Sequence, residues 1–592
     1  MGQDQTSSSR GFLVWVETSL RKVFKDKALV KVGGETQAFI SAARGEYESF
    51  QVVVSPKEGG DLKNVEVEVS DLSSESGSYS IPRRCVEAYL VGYIQNREVG
   101  YPVEHVGLWP DPLMPLKPFN VRDGEVQPVW VTVYVPRDAR EGLYKGTVTI
   151  RPQGLGERRV TVKLRVWGFS LPSTPHLKTA FGFTTLDHGS AFRRFYPAER
   201  FNQKEIIKRF LSVLRRHGVN ILWYGYVTTR DPYLLRVVKD GGVWRYDFTE
   251  VEELLEFIVS EGFSFNIFAP TYWYEASGLF ALNPLLKEFD YLGDKVYSSE
   301  EFELVVRQLL ESYVDYLRKR GWLDRAICYI SDEPRRERDF IHAKRIAHLV
   351  KEVSPTLKTV IASGYIIPSV AGEDVDVWCV HLGCFEEGRR LIEERRAEGD
   401  EIWWYVSNSP NYPYPTLFLD FPAVSHRIIF WMAWKYGVKG FGYWNTTYWH
   451  DGQLTDNFRE DPEERWPKGP WNPLFNARTP ANGCGQLIYP GPDGPIVSIR
   501  LSIVRDGIED YEYLYQLNKR VEMLREAMQR SPNRDLKALM SRARRALGRI
   551  DELVRSTTEY EKNPDKIYEV RNEVAELIEE INNTLEIREP YL

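Results

Sequence analysis

From residue 176 onward, short apolar runs alternate with helical patterns, and this alternation constrains the fold more than any other feature of the chain. Eight runs read as strands: Lys178–Thr184, Ile221–Val227, Ser264–Ala269, Ala326–Ser331, Thr359–Gly364, Val375–His381, Glu401–Ser407 and Gly440–Asn445. Helical patterns at 204–217, 249–261, 300–320, 338–353, 385–398 and 421–436 lie between most of them. The 338–353 segment, for instance, sets Phe340, Ala343, Ile346, Leu349 and Val350 on one stripe at helical spacing. No clear helix separates the fifth and sixth strands, so one unit is irregular. Eight strand–helix units in succession predict a (β/α)8 TIM-like barrel, whose chemistry sits where strands end and the following loops begin.

The residues on either side follow different rules. Residues 11–174 read as an all-β sandwich, with alternating segments at Tyr47–Val54, Val65–Val69, Val86–Ile94, Pro128–Val135, Tyr144–Ile150 and Arg159–Trp167. Leu171-Pro-Ser-Thr-Pro175 reads as a linker. Beyond the barrel strands, 451–495 is a long Pro-, Gly- and Asn-rich stretch carrying Trp466 and Trp471, as expected of a lid or binding loop. Two amphipathic helices close the chain, one lined by Leu536, Leu539, Ala543 and Leu547, the other by Ile567, Val570, Val574 and Leu577. The expected organisation is a multidomain chain: a sandwich at 1–174, a barrel at 175–525 and a helical hairpin at 526–592.

Composition removes several functional classes. A net charge of −7 argues against a nucleic-acid partner, which needs clustered positive charge. Nine histidines without an H-E-x-x-H pair, and five cysteines without a C-x-x-C pair, predict no metal site. Phosphate-binding and dinucleotide-binding glycine motifs are absent, so no cofactor is expected. No apolar run is long enough to span a bilayer. Met1–Arg10 is polar and lacks the apolar core of a signal peptide, which leaves two compartments open, intracellular or secreted after signal removal. Oligomeric state is not encoded in any pattern. Aromatic content of 13%, with 17 Trp and 33 Tyr, suits a carbohydrate partner, because sugar rings pack their apolar faces on open aromatic rings.

Carboxylate chemistry is what remains, and the fourth strand supplies it. Ala326-Ile-Cys-Tyr-Ile-Ser ends in Asp332-Glu333, and Pro334 stops the strand. An ion pair with Arg335 or Arg336 is the simplest non-catalytic role for such a pair. Other strand ends offer Asp187, His188, Tyr224, Tyr226, Tyr272, Trp273, His381, Trp404, Asn408, Trp444, Asn445, Trp449 and His450. Retaining glycosidases flank the scissile bond with two carboxylates. Strand seven, Glu401-Ile-Trp-Trp-Tyr-Val-Ser-Asn408, has its acid at the wrong, N-terminal end. Adjacent acids suit a different scheme, in which a 2-acetamido group of the substrate is the nucleophile. One carboxyl then protonates the leaving oxygen, and a neighbouring carboxylate orients the amide. Vicinal side chains of a regular strand point oppositely, so the backbone must bend at this position.

The chain resembles glycoside hydrolase family 123 in Tyr329-Ile-Ser-Asp-Glu-Pro334, Gly440-Phe-Gly-Tyr-Trp-Asn445, Gly485-Gln-Leu-Ile-Tyr-Pro-Gly491 and the long run from Ser498 to Leu514. Gly45-Glu-Tyr-Glu48 and Val135–Gly146 extend the likeness into the sandwich. The resemblance implies a retaining, substrate-assisted β-N-acetylgalactosaminidase, with Glu333 as general acid/base and Asp332 as the acetamido-orienting residue. It also implies a tyrosine on the acetamido oxygen and a tryptophan-walled pocket, for which Tyr405, Trp404 and Trp444 are the positional candidates. Tyr272, Trp273, His381, Asn408, Asn445 and Trp449 complete the expected substrate-binding set. Two alternatives stay open: a non-catalytic carbohydrate-binding or surface-assembly protein, and a glycosidase on non-acetamido sugars using a loop acid such as Asp451.

Overall fold

The computed structural model describes residues 11–26, 36–57, 60–96, 98–183, 192–223, 236–249, 251–268, 300–364, 366, 372–449 and 481–587. Two facing sheets form the N-terminal region. The first runs in the order Phe12–Thr18, Tyr47–Pro56, Gln127–Tyr134, Val86–Gln95, Leu108–Pro115. The second centres on Gln37–Arg44, Arg158–Ser170, Gly142–Arg151 and Leu62–Val69. Alternation decides which side chains meet between them: Val52, Val54, Val129 and Val131 of one sheet share a buried cluster with Val148, Ile150, Val160 and Val162 of the other.

The barrel is closed and wholly parallel, with strands Lys178–Phe181, Ile221–Leu222, Ser264–Phe268, Ala326–Asp332, Lys358–Ser363, Val377–His381, Glu401–Val406 and Gly440–Tyr443. All eight coincide with the runs read from the sequence. The second strand is two residues long, Ile221–Leu222. Helices pack outside at Gln203–Arg216, Glu252–Ser260, Glu300–Arg320, Glu337–Val353, Arg389–Ala397 and Ala423–Lys435. A two-stranded ribbon, Arg236–Asp240 with Val243–Asp247, follows the second strand and turns at Gly241-Gly242; Trp244 and Tyr246 are buried in alternation with exposed Val243 and Arg245.

Helix Ile499–Arg530, of 32 residues, runs without a break across position 525, where the sequence suggests a division between barrel and hairpin. Ser498 caps it by accepting from the Leu501 N–H at 3.0 Å. Helices Arg534–Gly548 and Pro564–Thr584 follow and pack against it. Residues 451–480 of the predicted lid lie outside the described residues; 488–497 form a small hairpin. Among the described residues no helix is long and apolar enough to cross a membrane.

Candidate active site

Strand four begins in regular register with strand five: Ile327 opposes Lys358, Cys328 opposes Thr359 and Tyr329 opposes Val360. Ile327 and Tyr329 belong to the cluster filling the barrel interior, whereas Cys328 and Ile330 pack outward toward the helices. The pairing then slips. Ser331 opposes Ile361 and Asp332 opposes Ala362, so Ile330 is the extra residue of a β-bulge. A one-residue slip exchanges the two faces of a strand. Ala362 belongs to the interior cluster, so Asp332, which unbroken alternation would send outward, faces inward.

Glu333 completes the turn. Its φ of +43° lies in the left-handed region, uncommon for a residue with a side chain. Its N–H donates to the Ala362 carbonyl at 2.8 Å, so strand five holds the distorted backbone in place. Such a conformation costs about 1–3 kcal/mol and persists where the surroundings enforce it, commonly at functional sites. The bend demanded by adjacent acids is therefore present, made by a bulge and a left-handed residue in sequence.

Each carboxylate is gripped by a tyrosine. The Tyr329 hydroxyl donates to Asp332 Oδ1 at 2.5 Å, and the Tyr405 hydroxyl donates to Glu333 Oε1 at 2.8 Å. Burial, and then the Glu333 charge it faces, pushes the Tyr405 hydroxyl well above its ordinary range, so it remains a donor. Arg335 Nη2 approaches Glu333 Oε2 at 3.4 Å, with side chains 62% and 39% exposed. An exposed pair at that distance is worth little. Arg336 pairs instead with Asp339 at 3.1 Å. The pair with Arg335 thus accounts for little of what holds Glu333.

His381 lies edge-on to Tyr405 (centroids 5.1 Å) with Nε2 2.9 Å from Ser409 Oγ. Burial lowers its pKa, which keeps the imidazole neutral. Below the acids, Trp223 meets Tyr329 edge-on at 5.1 Å and tilts against Trp403 at 5.9 Å, making an aromatic floor. Trp444 is half-buried at the rim, its Nε1 3.2 Å from Cys484 Sγ. Gly485 makes room for it: φ is +74°, and a Cβ there would come within 2.4 Å of the indole. Asn408 Oδ1 accepts from Ser407 Oγ at 3.1 Å, and buried Asn445 accepts from the Thr447 N–H at 2.9 Å, which braces the loop after strand eight.

Two expected binding residues sit elsewhere. Trp404 is fully buried on the outer face of strand seven, against Phe385 at 5.3 Å and Tyr436 at 6.1 Å. Its neighbours Trp403 and Tyr405 take the inward positions. Trp449 stacks on Phe192 at 5.7 Å and donates to the Ile488 carbonyl at 2.9 Å, as a core residue. Tyr272 and Trp273, like Asp187, His188, Tyr224, Tyr226, His450 and Asp451, lie outside the described residues. Conversely, Tyr329 bonds Asp332 and Trp223 packs on Tyr329, and neither is among the site residues expected from the sequence. The available signal was that a buried tyrosine hydroxyl needs a partner, and Asp332 is three residues away. Among the described residues no group of three or more His, Cys, Asp or Glu could hold a metal ion.

The family model for the glycoside hydrolase 123 catalytic domain matches residues 187–517, and that for the glycoside hydrolase 123 N-terminal domain matches 15–152. Among solved structures, a family 123 glycoside hydrolase from Clostridium perfringens, described for its glycolipid glycan hydrolysis, is similar with a TM-score of 0.69. The two are 15% identical, over 97% of this chain and 99% of that one. A family 5 xyloglucanase from Bacteroides ovatus matches at a TM-score of 0.32 and 10% identity, over 84% of this chain and 100% of that one. No curated protein matches the sequence.

Proposed function

The chain belongs to glycoside hydrolase family 123 and is a glycosidase acting on a carbohydrate substrate, and from that premise we propose that it removes terminal β-linked N-acetylhexosamine, galacto-configured, by a retaining, substrate-assisted mechanism. One observation carries the reading: two adjacent carboxylates are turned to the same side of the strand-four exit. The acid of strand seven supports it further. Glu401 lies at the far end of the barrel, with Oε1 2.9 Å from Lys178 Nζ, and cannot attack a sugar held at the strand C-termini.

In the first step Glu333 gives its proton to the glycosidic oxygen as the C1–O bond breaks. The substrate's acetamido oxygen forms the new bond to C1, closing an oxazolinium ring, while Asp332 accepts a hydrogen bond from the acetamido N–H. Water then attacks C1 and gives its proton to Glu333, and the ring opens with overall retention. Tyr405 fixes Oε1 of Glu333, and Trp444 offers an aromatic face at the rim.

Aryl β-GalNAc, β-GlcNAc, β-Gal and β-Glc assayed side by side test the proposal, because only the first two carry the internal nucleophile. β-GalNAc should be cleaved fastest and the last two left intact. Preferred cleavage of β-Gal or β-Glc, or covalent trapping by a 2-fluoro glycoside, would overturn it. The Clostridium perfringens enzyme is described for glycolipid glycans, which makes these the first natural substrates to try.

A further inference from the structure

Substrate assistance asks Asp332 to stay ionised beside a second carboxyl that repeatedly gains and loses a proton. We infer that Tyr329 is the positioning residue that holds Asp332 for this task, aiming the carboxylate and favouring its charged form. The inference rests on the substrate-assisted reading above.

The hydrogen bond spans three residues of a single strand, from the Tyr329 hydroxyl to Asp332 Oδ1 at 2.5 Å. Residues i and i+3 of a regular strand face opposite sides. The bulge at Ile330 brings both to the interior, so one distortion turns the acid inward and supplies its donor. Tyr329 has no exposed surface. Its ring is confined edge-on by Trp223, which is held in turn by Trp403. A donor locked by packing is already oriented when charge develops nearby, with little reorganisation required at the moment of reaction.

The electrostatics point the same way. Cys379 faces Asp332 from strand six and Tyr405 faces it from strand seven, while Glu333 adjoins it. Burial pushes the Cys379 thiol and the Tyr405 hydroxyl well above their ordinary ranges, with the Asp332 charge adding to both, so neither ionises. The neighbouring acid disfavours a second negative charge, and a hydrogen bond donated to the carboxylate opposes that effect. Tyr329 supplies such a bond.

The test compares wild type, Tyr329→Phe, Asp332→Asn and the double variant on an aryl 2-acetamido-2-deoxy-β-galactoside. Tyr329→Phe keeps the ring and removes only the donor. It should lower kcat by about 10- to 100-fold, the worth of a hydrogen bond to a charged group, with KM nearly unchanged. The acid limb of its kcat/KM profile should move to higher pH, because Asp332 without its donor binds a proton more readily. The same change made in Asp332→Asn should cost little more. Equal losses in both backgrounds with an unmoved acid limb would indicate packing alone and overturn the inference. If wild type cleaves the substrate and Asp332→Asn is impaired, while Tyr329→Phe keeps full rate, the inference fails and the mechanism stands. If Asp332→Asn keeps full rate, the mechanism fails and takes the inference with it. Should Tyr329→Phe not fold, 3-fluorotyrosine at position 329 keeps ring and hydroxyl while making the donor more acidic. The acid limb should then move to lower pH, and an unmoved limb would again overturn the inference.

Discussion

Asp332 and Glu333 share a backbone turn but not an environment, and their separate tasks follow from that. Glu333 lies toward the rim, with Tyr405 on one oxygen and Arg335 near the other. Asp332 is held lower, by the interior tyrosine. A proton donor at Glu333 matters most when the departing oxygen is a poor leaving group. Glu333→Gln should therefore cost about 10²–10⁴-fold on an unactivated glycoside and far less on a dinitrophenyl one. A leaving-group series measures this, and a uniform loss across it would remove Glu333 as the acid. Tyr405→Phe should be milder, about tenfold in kcat, since it frees one carboxylate oxygen and leaves the acid in place. The difference between two adjacent acids is decided by which tyrosine reaches which oxygen, and no spacing rule on the chain states that.

At the scale of the strand, parity governs the site. Both faces of a parallel barrel strand are buried and apolar, so Glu401-Ile-Trp-Trp-Tyr-Val406 reveals a strand without revealing which of its aromatics face the sugar. That is why Trp404 looked like a pocket wall and lies among helix side chains. The existence and order of all eight strands were legible, because apolar runs bounded by turn residues need no knowledge of facing. The bulge was not, since Ile330 carries no glycine or proline to mark it; only the demand that adjacent acids cooperate hinted at a bend. Deleting Ile330 makes this testable. Without the extra residue, Tyr329, Ser331 and Asp332 keep Val360, Ile361 and Ala362 as partners in unbroken alternation, so Asp332 still faces inward and activity on the acetamido substrate should stay well above that of Asp332→Asn. Far-ultraviolet circular dichroism would check that the barrel persists, and a folded deletion variant as inactive as Asp332→Asn would show that strand parity alone does not aim the acid.

At the scale of the molecule, the long motif from Ser498 to Leu514 proves to be a seam rather than a site. Asp510 accepts from Arg427 Nε at 2.6 Å, from Trp431 Nε1 at 2.8 Å and from Arg571 Nε at 2.8 Å, tying a barrel helix to the closing helix. Arg571 also bonds Glu46 of the sandwich, and Arg500 bonds Asp111 of the sandwich at 2.8 Å. Helix Ile499–Arg530 is enclosed on nearly every side over its first half, so its charged residues face partners instead of water, and its polarity concealed its burial. Breaking one partner of a buried network leaves charge uncompensated, and Asp510→Asn should cost about 3–5 kcal/mol in urea unfolding. The same seam carries an excess of acid: Glu46, Glu48, Asp506, Glu509 and Asp510 face Arg427, Arg505 and Arg571. Asp510 takes the best-placed guanidinium groups and is held below the usual carboxylate range. Burial, with the like charge of Glu48 adding, raises Glu46 to about 7 against the pull of Arg571. A folded-state pKa above the unfolded one contributes stability that is complete below the unfolded value and is lost as pH rises through the folded value. Glu46→Gln, which mimics the protonated acid, should gain on the wild type by about 2–3 kcal/mol between about pH 5 and about pH 8. Urea midpoints of the two proteins across that range provide the comparison. A gap that stays constant with pH would mean that Glu46 is ionised throughout, with Arg571, the Tyr513 hydroxyl and the Ala43 N–H together offsetting its burial.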